Sequence, residues 1–96
     1  MYIRLKIVIP HHIWKKTVAR FMEISKDTPA DPDLSVYIHY ECGKKVIVEH
    51  LEVTPELMGQ KLAETMKFMT NFDDIEGFEY DVGVSYTLEE ALKFIE

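Results

Sequence analysis

Between Leu34 and Val53 the chain reads LSVYIHYECGKKVIVEHLEV, and this stretch limits the possible folds more than any other. Leu34, Val36, Ile38 and Tyr40 alternate with Ser35, Tyr37, His39 and Glu41, the two-residue period of a strand with unlike faces. After a turn at Cys42–Lys45, the run Val46–Val53 (VIVEHLEV) returns, apolar on both faces at first and then mixed. Gly43 supplies the positive φ that a tight hairpin turn wants. Loop length sets the register, and two-residue and three-residue loops place His50 on opposite faces. Either Ile47 with Leu51 or Val46 with Val48 therefore joins Tyr37 on its face.

The flanking segments supply the remaining elements. Tyr2–Pro10 alternates cleanly, with Ile3, Leu5, Ile7 and Ile9 on one face and Tyr2, Arg4, Lys6 and Val8 on the other; Pro10 ends the strand. His11–Lys26 changes to helical spacing. Its expected apolar face is Trp14, Val18, Phe21, Met22 and Ser25, flanked by Ile13 and Ile24. Pro29, Pro32 and three aspartates then make a polar loop. Thr54, Pro55 and Glu56 open a second helix as N-cap, first helical residue and first-turn acid. Met58, Leu62, Met66 and Met69 form its expected stripe, supported by Leu57 and Phe68; a stripe of this kind usually fills a core. An acidic loop over Asn71–Gly77 leads to a last strand, Phe78–Tyr86. Thr87-Leu88-Glu89-Glu90 is a capping box that opens a short final helix.

The order β-α-β-β-α-β, with a terminal helix, implies an α+β fold. We expect a ferredoxin-like antiparallel sheet with both long helices on one face, in a single domain spanning residues 1–96. The first and third strands are expected side by side and parallel at the centre, with the fourth flanking the first and the second flanking the third. The sheet face turned away from the helices would carry Tyr2, Arg4, Lys6, Val8, Tyr37, His39, Glu79 and Asp81. Arg4 and Lys6 beside Glu79 and Asp81 suggest cross-strand ion pairs, worth roughly 0.2–1 kcal/mol each. Such a face is too apolar for open water and too charged for a core, so a homodimer built through it is expected.

Composition narrows the partners. The net charge is −6, yet residues 1–26 hold six Lys or Arg against only Glu23, and all the excess acid lies beyond. An acidic chain is a poor ligand for phosphate backbones, so no nucleic-acid partner is expected. No apolar run approaches the roughly 20 residues of a membrane span, and no signal peptide is expected ahead of the first strand-like run. One cysteine, Cys42, fits a reducing compartment, and a cytoplasmic location is expected.

The element order, the mixed open face and the final helix resemble the dimeric α+β-barrel group of ferredoxin-like proteins. Phe78-Glu79, Val82-Gly83-Val84, Thr87 and Glu89-Glu90-Ala91 are similar to the last strand and helix of a small uncharacterised family of that shape. The group includes cofactor-free monooxygenases, haem-degrading enzymes and isomerases. None of their catalytic motifs matches here, so no functional residue is carried over, and no cofactor is expected.

Several candidate sites come from the residues themselves. With parallel first and third strands, His11 and His12 would meet His50 and Glu52 at one end of the sheet, a donor set suited to Zn²⁺, Fe²⁺ or Ni²⁺. No HExxH or paired CxxC accompanies it. Lys15 and Lys16, beside the first helix start, could attract a small anion, although no glycine-rich loop is present. Tyr37 and His39, sharing a face with Glu41, are the catalytic candidates, as a general acid–base set in a cavity that would admit a small-molecule ligand. Cys42 has no neighbour motif that would lower its pKa. The expected role is therefore that of a homodimeric binding or assembly module. A small-molecule enzyme is the alternative.

Overall fold

Each alternating run becomes a strand and each 3.6-residue stripe a helix in the computed structural model, which describes residues 1–95. The elements are β1 (Tyr2–Ile9), α1 (Trp14–Ser25, entered through a 3₁₀ turn at His11–Ile13), β2 (Leu34–Glu41), β3 (Lys44–Glu52), α2 (Met58–Met69), β4 (Glu79–Ser85) and α3 (Leu88–Lys93). They form an α+β structure on one four-stranded antiparallel sheet of spatial order β2-β3-β1-β4. The fourth strand flanks the first and the second flanks the third, as the element order implies.

The expected parallel pairing of β1 with β3 is corrected by the register. Tyr2 lies opposite Glu52 and Ile9 opposite Lys45, so these strands run antiparallel. The reason is chain direction. The α1 crossover returns the chain parallel to β1, and the hairpin then inserts β3 between β1 and β2, opposed to both.

The hairpin register is equally definite. Glu41 opposes Lys44, leaving Cys42 and Gly43 as a two-residue loop. Both loop residues have positive φ, 50° at Cys42 and 77° at Gly43, as a type I′ turn requires. Val46, Val48, His50 and Glu52 consequently share the face of Tyr2, Arg4, Lys6 and Val8. Lys45, Ile47, Glu49 and Leu51 face the helices with Ile3, Leu5, Ile7 and Ile9.

On the helix side, Leu5 and Ile9 pack with Ile13, Met69, Phe72 and Ile75, with Trp14, Ile24, Phe68, Phe78 and Val82 around them. Side chains from both long helices therefore lie on one face of the sheet. Burying a side chain such as Ile9, Met69 or Phe72 contributes about 1.5–3 kcal/mol. The apolar stripes sit differently from their expected positions. In the entry turn and α1 the buried positions are Ile13 and Thr17, with Ile24 partly covered, whereas Phe21 and Met22 are exposed. Thr17 is tolerated inside because its hydroxyl donates to the Ile13 carbonyl at 2.9 Å. On α2 Met66 is exposed, as is Leu57 just before it, and the buried face continues past the helix into Phe72 and Ile75. The segment expected as an acidic loop thus supplies two core residues. Phe72 stacks on Phe78 at 4.9 Å between ring centroids.

Two further contacts fix the ends. Arg20 makes a bidentate pair with Asp74 at 2.7 and 3.0 Å and donates to the Asn71 carbonyl at 2.6 Å, tying α1 to the segment after α2. At α3 the capping box forms as expected: the Thr87 hydroxyl accepts from the Glu90 N–H, and the Glu90 carboxylate accepts from the Thr87 N–H. Glu90 also lies 2.7 Å from the amino group of Met1, which with the cap holds its carboxyl down at about 2.

Candidate functional site

Strand parity determines which groups can meet on the open face. β1 presents Tyr2, Arg4, Lys6 and Val8; β4 presents Glu79, Asp81, Gly83 and Ser85 beside them; β2 presents Ser35, Tyr37, His39 and Glu41 beyond β3. The charges of this face pair within the chain. Arg4 reaches Asp81 at 3.4 Å, lying across Gly83, where a Cβ would stand 2.9 Å from its guanidinium. Lys6 reaches Glu41 at 3.6 Å, and His39 reaches the other oxygen of the same carboxylate at 3.3 Å. The hydrogen bond from His39, followed by the charge of Lys6, holds the Glu41 carboxyl below its usual range. Because β3 lies between β1 and β2, the Lys6–Glu41 pair bridges across it. Val46, which opposes Val8 and His39 on this face, is fully buried.

The metal candidates are dispersed. His11 and His12 follow the C-terminal end of β1, whereas His50 and Glu52 oppose Arg4 and Tyr2 near its beginning. The antiparallel register puts the length of the sheet between the two pairs, which corrects the expected convergence. No group of three or more His, Cys, Asp or Glu is placed to hold a metal ion among the described residues. His50 instead has aromatic neighbours, with Tyr2 and Tyr37 edge-on at 6.1 and 6.5 Å between ring centroids. His39 and Glu41 do meet, while Tyr37 turns to His50. Lys15 and Lys16 are exposed on α1, and Cys42 is exposed on its turn.

The surface relief is slight. The two best-formed depressions are shallow and open, one bordered by Lys6, Val8, Glu79, Tyr80 and Asp81, the other by Glu64, Lys67, Phe68, Thr70 and Asn71. Neither contains Tyr37, His39 or His50.

Three features were not evident from the sequence pattern. First, Glu49 faces the helix side between Leu5 and Val36, where burial pushes its carboxyl up. Second, the Lys45 ammonium stands 3.6 Å above the Trp14 ring, anchoring α1 to β3 through a cation–π contact. Third, β2 is exposed on both faces along its whole length. Val36, Ile38 and Tyr40 belong to the helix-side face by parity, yet they are 48, 60 and 68% exposed. The helix layer stops short of them. Leu88, Leu92, Phe94 and Ile95, in and beyond α3, are likewise uncovered. The large apolar residues left in water thus lie mainly on β2 and at α3. On the open face, by contrast, Val46 is buried and the Lys6–Glu41 pair crosses β3.

No helix among the described residues is long and apolar enough to cross a membrane. Comparison of the chain with protein-family models, curated proteins and solved structures found no match.

Proposed function

We propose that this chain is a cytoplasmic homodimeric binding and assembly module of ferredoxin-like topology, acting by association rather than by catalysis. The strand order, the antiparallel neighbours and the placement of both long helices on one face support the topology. One observation carries the functional reading: large apolar side chains are concentrated on an uncovered strand, while the surface depressions are shallow and lack the candidate acid–base groups. Exposed apolar surface of this kind marks an association site. Sedimentation equilibrium or light scattering over a wide concentration range tests the reading. A dimer mass at micromolar concentration supports it, and a monomer throughout refutes it.

The Tyr2–His50–Tyr37 cluster favours a second reading, a small-molecule enzyme using His50 as an acid–base group flanked by two phenols. Ligand screening by ¹H–¹⁵N NMR tests it. Shifts confined to these three residues support the reading, and none across a broad metabolite library counts against it.

A further inference from the structure

β2 is an edge strand, and its backbone can be divided residue by residue into used and unused groups. The Glu52 N–H donates to the Asp33 carbonyl at 3.1 Å, which makes Asp33–Glu52 a hydrogen-bonded pair. Such pairs alternate along an antiparallel ladder. Ser35, Tyr37, His39 and Glu41 therefore bond inward to β3, and Leu34, Val36, Ile38 and Tyr40 point their N–H and C=O groups outward. Natural edges are usually guarded by a proline, a lysine, a bulge or a covering element. Leu34–Glu41 contains no proline or lysine, keeps an unbroken register with β3, and is exposed at every position.

Resting on the association reading above, we infer that this edge pairs antiparallel with the β2 edge of a second copy, centred on Ile38, to make one continuous sheet across the dimer. Two constraints select that register. A two-fold axis perpendicular to the sheet keeps both helix layers on one side, so the axis must pass through a residue; an axis between residues would oppose helix-side and open-face side chains. Charge and strand overlap then choose the residue, since centring on His39 leaves only Tyr37–Glu41 in register. Centring on Tyr37 places Asp33 opposite Glu41 of the second copy, a like-charge pair. Centring on Ile38 places Glu41 opposite Ser35 and opposes Val36 to Tyr40, both with outward-facing backbone groups. The interface is self-complementary in backbone bonding and in apolar side chains, with no like charges opposed.

The test is the mass of the full chain and its variants by sedimentation equilibrium. Ile38→Pro removes an outward N–H that the chain's own ladder does not use, so the monomer fold stays and the wild-type dimer mass falls by half. Val36→Lys, a guard residue on the same edge, halves it without any proline effect and stands in should Ile38→Pro fail to fold. In a Cys42→Ser background, Ile38→Cys yields a disulfide-linked dimer on mild oxidation. A wild-type dimer that survives both edge substitutions but dissociates with Val8→Lys overturns the edge pairing while leaving association intact. A monomeric wild type overturns both readings. A monomeric wild type whose Val36 and Ile38 amides shift on adding an unrelated strand-forming peptide identifies a peptide as the occupant, and overturns the second copy.

Discussion

Glu49 is an acid in the wrong layer, and replacing it should stabilise the protein. Its side chain projects to the helix side of β3, directly opposite Leu5, which is 6% exposed, and Val36 on the other flank. It holds no ion pair or side-chain hydrogen bond among the described residues, and burial pushes its carboxyl above the usual 4.5. An unpaired polar group withdrawn from water costs roughly 1–3 kcal/mol. Glu49 keeps part of its hydration, so the lower end applies. Glu49→Leu, which also restores the apolar alternation of Ile47 and Leu51, is therefore expected to add about 1 kcal/mol at neutral pH. Glu49→Gln removes the charge alone and should give a smaller gain. The pH dependence has a definite sign. The folded protein holds the Glu49 proton to higher pH than the unfolded chain, so the wild type loses stability as pH rises from 4.5 through the raised value. The advantage of Glu49→Gln should be full above that window and vanish below it, and that of Glu49→Leu should shrink below it to its apolar part. Urea denaturation at pH 7 and pH 4, at one fixed protein concentration because association contributes to apparent stability, measures this. Destabilisation by Glu49→Leu at pH 7, or an advantage that grows on acidification, would refute the reasoning.

Other substitutions probe separate parts of the fold. Cys42 occupies a left-handed position at φ 50°, so Cys42→Asn or Cys42→Gly should raise stability by about 0.5–1 kcal/mol in thermal denaturation; a loss would contradict the type I′ turn. Phe72→Ala removes a ring that is 3% exposed and stacked on Phe78, and should cost about 3–5 kcal/mol in urea; a cost under 1 would place Phe72 outside the core. Arg20→Met breaks the bidentate pair that, chiefly through its hydrogen bonds, holds Asp74 down at about 2. The stabilisation from that pair is present above the ordinary 3.8 and disappears as pH falls through about 2, so the variant should be weaker at pH 7 and equal to wild type in strong acid.

The elements were legible in the sequence because each carries a local signature. Alternation marked β1 and β2, and the Thr87–Glu90 box marked the start of α3. The open face was legible too. Arg4 meets Asp81 as expected, whereas Lys6, expected beside Glu79 and Asp81, crosses β3 to Glu41 instead. The metal hypothesis, in contrast, depended on strand direction, which side-chain pattern does not encode. Reversing β3 relative to β1 moved His50 and Glu52 away from His11 and His12 without changing any face. Phe72 and Ile75 were hidden because Asp73, Asp74 and Glu76 dominate their surroundings, and two apolar residues three apart are a weak periodic signal. The exposure of β2 has a related cause. Its alternation reports that one face is apolar, but whether a helix extends far enough to cover that face depends on how the layers are stacked.

The position of β1 also dictates the order in which this sheet can assemble. Tyr2 pairs with Glu52 on one side and Ser85 on the other, so the first strand in the chain is an inner strand of the finished sheet. The β2–β3 hairpin can zip locally, within microseconds by analogy with isolated hairpins. β1 must wait. Its β4 edge closes only when Glu79 returns to Val8, one of the longest loops the chain contains, and that closure carries a correspondingly large entropy cost. Until then β1 and β2 both present open edges, and the period before β4 docks is when this chain is most exposed to pairing with the wrong strand.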